Sequence, residues 1–161
     1  ATKKLILDLD MGVDDAMALA YAVASPEVEL VGITTCFGNV RVDQSAHNCL
    51  AVLDLLGRPE VPVYLGADRP IKATEPYAAG VTTLIHGKNG IGGASVPASP
   101  YEPVGATSAD GKLLDYLIDA ARTYGPDLVY VATGPLSNLR RLERDAAAMM
   151  SIGRVVVMGG A

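Results

Sequence analysis

The sequence predicts an α/β fold, an open and mostly parallel sheet with helices on both faces, from three observations. Short β-branched apolar runs alternate strictly with longer amphipathic ones along the 161 residues, the pattern of strands joined by crossover helices. Glycine, proline and acidic residues gather where one kind of run gives way to the other. Half the residues are apolar and 19% are charged, enough apolar material for one buried core in a chain of one-domain length.

The elements follow in order. Leu5–Asp8 reads as the first strand and Asp14–Ala24 as the helix after it, with acids in the first turn that suit the helix dipole and a stop at Ser25-Pro26. Glu29–Thr35 is the second strand, and Val42–Leu56 a long helix closed by Gly57. Val61–Leu65 is a short third strand behind Pro59, Lys112–Tyr124 a helix ending at Gly125-Pro126, and Leu128–Ala132 the fourth strand. A single helix is expected from Pro135 or Ser137 to Met149, then a fifth strand at Arg154–Met158. Between Gly66 and Gly111 lie half of the prolines, many glycines and no clean period. Loops that long are uncommon in compact domains and are usually functional, so this segment is expected to be a lid or substrate loop.

Composition excludes several classes of function. Thirteen basic against eighteen acidic residues give a formal charge of −5, the wrong sign for a binder of polymeric nucleic acid. No apolar run approaches the roughly 20 residues of a membrane span, and acids enter too early for a signal peptide, so the expectation is a soluble, cytoplasmic protein with no membrane partner. Cys36 and Cys49 are the only cysteines and are expected to be reduced and buried. Aromatics are 5% with no Trp, which leaves little for stacking on single strands.

The chemistry collects in DLDMGVDDA, where Asp8, Asp10, Asp14 and Asp15 fall within eight residues at the carboxyl end of a strand and the start of a helix. Helix capping and dipole compensation account for Asp14 and Asp15 but not for four mutually repelling carboxylates. A hard cation accounts for the cluster better, because Ca²⁺ or Mg²⁺ takes oxygen ligands and offsets their repulsion. Ligands of open α/β sheets bind outside the carboxyl ends of the strands. Thr34, Thr35 and Phe37-Gly38-Asn39 fall there after strand two, Gly66 and Asp68 after strand three, Thr133-Gly134-Pro135 after strand four, and Gly159-Gly160 after strand five.

KLILDLDMGVDDAMAL resembles the DTDPGxDDA motif of the inosine-uridine preferring nucleoside hydrolases, and GITTCFGNV, HNCLAVLDLLGR, HGKNGIGG, VATGPLSNL and RVVVMGGA agree with that family in order and spacing across the chain. The resemblance implies a Rossmann-like fold and calcium-dependent hydrolysis of ribonucleosides, with inversion, to free base and ribose, as in purine and pyrimidine salvage. It implies Asp10, Asp15 and the Thr133 carbonyl as calcium ligands, and Asp10 as the base that deprotonates the bound water. It implies Asp14 and Asn39 as ribose- and water-positioning groups, Met158 as a lining of the sugar pocket, and Asp8 as support. His86 sits in the long loop near base or ribose, with a hydrogen-bonded structural role as the alternative. His47, inside a helix, is assigned to packing or surface.

Two positions depart from the family motif: Leu9 stands where Thr is usual and Met11 where Pro is usual, which removes a fixed φ from the turn that aims Asp10. The glycines around residue 90 follow no strand and precede no Lys-Ser/Thr, so a P-loop or dinucleotide motif fails. Two other readings compete. DLD after a strand also resembles the haloacid dehalogenase-like, Mg²⁺-dependent phosphatases, with Asp8 as nucleophile and Asp10 as acid/base. A non-catalytic half-domain that binds ribose or calcium is the other, since the family normally runs to about twice this length. The chain is thus expected to be the N-terminal portion, residues 1–161, of a single domain that is incomplete at its C-terminus. Its remaining calcium ligand and leaving-group acid would come from the C-terminal half, and its partners would be copies of itself or a chain supplying that half.

Overall fold

A computed structural model describes residues 2–105 and 111–159. Gly160 of the expected final turn, and residues 106–110 of the expected lid, lie outside the described residues. Five strands, β1 (Lys3–Leu9), β2 (Val28–Thr35), β3 (Val63–Tyr64), β4 (Leu128–Ala132) and β5 (Arg154–Val157), form one sheet in the order β3-β2-β1-β4-β5. Every pairing is parallel. The chain steps outward from β1 to β3 and then returns to the other side of β1 with β4. A crevice therefore opens between the carboxyl ends of β1 and β4, where ligands bind in doubly wound sheets.

Alternation along β1 sorts its side chains to two faces. Leu5, Leu7 and Leu9 join a core with Leu19 of α1 (Val13–Ala24) and Ala46, Cys49, Leu50 and Leu53 of α2 (Val42–Leu55). Ile6 joins Leu128, Tyr130 and Ala132 of β4 in a second core, closed by Leu113, Leu117 and Ala121 of α4 (Lys112–Tyr124). The register slips between Leu5 and Ile6, leaving Val31 of β2 as an extra residue. That bulge resets the alternation, so Leu30 and Ile33, three apart, both enter the first core.

Two expectations need correction. The third strand is only Val63–Tyr64, not Val61–Leu65. The Val61 N–H turns back to the Arg58 carbonyl, Pro62 has no N–H, and the Leu65 N–H donates to Val104 rather than to a strand. The single helix expected up to Met149 is two short ones, α5 (Ser137–Arg141) and α6 (Ala146–Ser151), separated by a 3₁₀ turn at Leu142–Arg144. Asp145 causes the break: it leaves helical conformation (φ −126°, ψ 83°), its carboxylate accepts from the Ala148 N–H at 3.0 Å, and it pairs with Arg122 of α4.

The long loop is fastened over its second half. It carries α3 (Thr83–His86), preceded by Thr82, whose hydroxyl donates to the Asn39 carbonyl at 3.1 Å. Asn89 organises the glycine-rich part: its side-chain oxygen accepts from the N–H groups of Ile91 and Gly93, and its amide donates to Ala94. The Asn48 amide of α2 in turn donates to the Asn89 carbonyl at 2.6 Å. Gly90 has φ +81°, and a Cβ there would lie 2.6 Å from the Met11 carbonyl, so only glycine lets this loop lie on the turn after β1. Met11 itself has φ +28°, a value that proline's ring forbids, and its side chain is fully buried.

Candidate active site

The turn from β1 into α1 places four carboxylates in different environments. Asp8 ends inside the sheet, and one of its oxygens accepts from the Thr34 hydroxyl (2.8 Å), the Asn138 amide (3.0 Å) and the Tyr130 hydroxyl. Its other oxygen is buried without a hydrogen-bond partner among the described residues. Burial pushes this carboxyl up to about 6, with the three donors opposing the shift.

Asp10 emerges at the strand end and is wedged between two glycines. A Cβ on Gly38 would stand 2.1 Å from its Oδ2, and one on Gly134 would stand 2.7 Å from its Cγ. The Asn39 N–H donates to Asp10 Oδ2 at 3.0 Å, and the Gly12 N–H donates to Asp15 Oδ2 at 3.1 Å. Both carboxylates are buried. Burial first, then hydrogen bonding and repulsion from Asp15, push the Asp10 carboxyl up to about 8. Two buried carboxyls this close hold together only with a shared proton or a cation between them. That is the fit expected of a divalent metal ion, whose oxygen ligands Asp10 and Asp15 would supply. The pair is a partial donor set, since no group of three His, Cys, Asp or Glu side chains suited to a metal gathers among the described residues.

Asp14 is different, with half of its side chain exposed on the first turn of α1. His86 reaches it from the long loop: its Nδ1 lies 3.8 Å from Asp14 Oδ1 and accepts from the Val13 N–H at 3.1 Å. An accepting Nδ1 puts the ring proton of a neutral imidazole on Nε2. A Cβ on Gly12 would stand 2.5 Å from the Asn39 side-chain amide and 2.7 Å from His86 Nδ1, so these two groups converge over the start of α1.

Asp10, Asp14, Asp15, Asn39 and His86 are thus brought together. Thr133 approaches from β4, with its N–H and hydroxyl both directed at the Asp8 carbonyl (3.1 and 3.3 Å). Met158 follows the outer strand β5, its N–H donating to the Ala132 carbonyl at 2.9 Å beside Thr133, and it is 58% exposed. His47 is exposed on α2, as expected of a surface residue.

Sequence reasoning assigned no role to Tyr130 or Asn138. Asn138 is fully buried; it donates to Asp8 and to the Thr35 carbonyl (2.7 Å) and accepts from the Ala67 N–H (2.9 Å), tying the ends of β1, β2 and β3 to α5. Its signal was an amide in the first turn of a helix that packs on the core; Tyr130, an aromatic among valines in a strand, gave none of its polar role.

The family model for inosine-uridine preferring nucleoside hydrolases matches residues 5–161. A purine-preferring ribonucleoside hydrolase of Gardnerella vaginalis superposes with a TM-score of 0.90 at 45% identity, over 99% of this chain and 49% of that one. Uridine nucleosidase 1 of Arabidopsis thaliana is 35% identical over 99% of this chain and 45% of its own length. A pyrimidine-specific ribonucleoside hydrolase of Shewanella sp. is 34% identical over 99% of this chain and 48% of its own. The chain spans about half the length of the curated relatives it matches. On the family match and the shared fold, the chain belongs to the inosine-uridine preferring nucleoside hydrolase family.

Proposed function

We propose that this chain contributes the acid-lined half of a calcium-dependent ribonucleoside N-glycosidase. The observation that carries the reading is the buried Asp10–Asp15 pair at the crevice between β1 and β4, with the exposed Asp14 and the Asn39 amide beside it. Asp10, Asp15 and the Thr133 carbonyl would hold Ca²⁺, which when bound lowers the pKa of a water and offsets the charge of the pair. Asp10 takes a proton from the attacking water as its oxygen bonds to the ribose anomeric carbon, while the bond from that carbon to the base nitrogen breaks and its electron pair leaves with the base. The ribosyl group gains positive charge on the way, which the surrounding carboxylates stabilise. Asp14 accepts from a ribose hydroxyl, Asn39 fixes ribose and water, and His86 bounds the site from the loop over 66–111. Met158 would line the sugar pocket. The missing ligand and the proton for the leaving base would come from the C-terminal half or a chain supplying it, in a homo-oligomer as in the sequence expectation.

The phosphatase reading fares worse, because it makes Asp8 the nucleophile. Asp8 is 1% exposed, one of its oxygens is occupied by three donors and the other is buried, so neither can reach a phosphorus to attack it. No helix among the described residues is long and apolar enough to cross a membrane.

The test is release of free ribose from inosine and from uridine by the full chain, before and after chelation, with Ca²⁺ added back. Asp10→Ala is expected to lose several orders of magnitude in kcat with the circular dichroism spectrum unchanged. Turnover that survives both chelation and Asp10→Ala refutes the reading; calcium or ribose binding without turnover assigns the chain to the non-catalytic alternative.

A further inference from the structure

A second concave region begins one residue away from the acids. Phe37 and Pro135 adjoin Gly38 and Gly134, the two glycines packed on Asp10, and line a cavity of about 640 Å³ walled by Ile71, Leu136, Leu139 and Met149. A neighbouring cavity of about 900 Å³ shares Pro70, Ile71, Ser137, Arg140 and Glu143 with it. The two therefore make one cleft between the loop after β3 and α5, apolar at one end and cationic at the other.

The charge of that cleft runs against the rest of the chain. Arg69, Lys72, Arg140, Arg141 and Arg144 line it against Asp68 and Glu143, so five cations face two carboxylates and leave +3, on a chain whose formal charge is −5. Arg69 is committed to the wall: its guanidinium holds both Asp68 oxygens at 3.0 Å and also the Thr74 carbonyl. Arg140 gives Glu143 one N–H, from Nε at 2.7 Å, in a pair that is more than half exposed. Arg144 has neither a hydrogen bond nor an ion pair within the described residues. A guanidinium has five donors in a planar fork that matches an oxyanion two bonds at a time, so Arg140 and Arg144 keep most of that capacity for a ligand.

We propose that this cleft is a binding site for a small organic phosphate, the phosphate on Arg140 and Arg144 and an apolar or aromatic ring against Phe37, Leu136 and Met149. Each of the two cavities has the volume of a small-molecule pocket. The proposal does not depend on the nucleosidase reading, because none of these side chains belongs to the acid cluster.

Phenyl phosphate is the probe, titrated calorimetrically into the full chain at low salt, with phenol, inorganic phosphate and a short acidic peptide in parallel. Saturable binding of phenyl phosphate, tighter than phenol or inorganic phosphate, is expected, weakening by about tenfold or more in Arg140→Glu/Arg144→Glu. The single variant Arg144→Ala, at an exposed position, should show a smaller loss with the fold intact. Asp10→Ala should bind the probe as the parent does, which separates this site from the acids. Ribose release by the double variant should stay at the parent's level. Binding unchanged in the double variant, or inorganic phosphate binding as tightly as phenyl phosphate, overturns the proposal; tighter capture of the acidic peptide overturns it in favour of a protein partner.

Discussion

Removing divalent ions should make this protein lose stability as pH rises, the reverse of the usual acid denaturation. Asp10 carries its proton in the folded state up to about 8, whereas an unfolded aspartate releases it near 3.8. Between those values the folded chain binds more protons than the unfolded one, so its stability is fully present below about pH 4 and drains away until about pH 8. At about 1.4 kcal/mol per decade the whole effect is several kcal/mol, and Asp8, raised to about 6, adds to it over the lower part of the window. For a domain of this size that is a fall in Tm of roughly 10 °C between pH 5 and pH 8. A cation competes with the shared proton, so Ca²⁺ should stabilise little at pH 5 and by about 3–4 kcal/mol at pH 8 when supplied at several hundred times its Kd. The assay is differential scanning calorimetry of the chelated full chain across this pH range, with and without Ca²⁺. A Tm that is flat or rises from pH 5 to 8 without metal, or a calcium effect as large at pH 5 as at pH 8, refutes the account of Asp10 and Asp15.

Three further outcomes follow from the packing. Gly134→Ala should push Asp10 off its seat, since the new Cβ would stand 2.7 Å from Asp10 Cγ; calcium affinity measured by calorimetry should drop by an order of magnitude or more while the fold persists. Asn138→Leu removes one of the three donors to Asp8 and the Asn138 bonds to the Thr35 carbonyl and the Ala67 N–H, and should cost about 3 kcal/mol or more in urea denaturation, whereas Asn48→Ala, at the Asn89 anchor, should cost about 1 kcal/mol. Cys36 and Cys49 are both buried, and burial raises both thiols, so iodoacetamide at pH 8 should label neither in the native chain and both in urea.

The sequence alone determined the alternation of strands and helices, the parallel sheet and the convergence of polar turns on its carboxyl edge. Those follow from local periodicity and from the rule that parallel strands must be joined by a crossover, here read as the intervening amphipathic helices. The acid motif was also legible, because four carboxylates in eight residues oppose one another whatever the fold. Helix ends decided by a single side chain were not legible: Asp145 breaks the helix after α5 only because Arg122 of a distant helix and the Ala148 N–H meet it there. The division of labour among the acids was equally hidden. Asp8, Asp10 and Asp14 look alike as residues, and only tertiary structure buries the first under Tyr130 and Asn138, pairs the second with Asp15 between two glycines, and leaves the third exposed beside His86. Spacing along a chain sets which groups can be near one another. Desolvation and long-range partners set which of them hold a proton, and those are fixed only when segments as much as 130 residues apart are packed together.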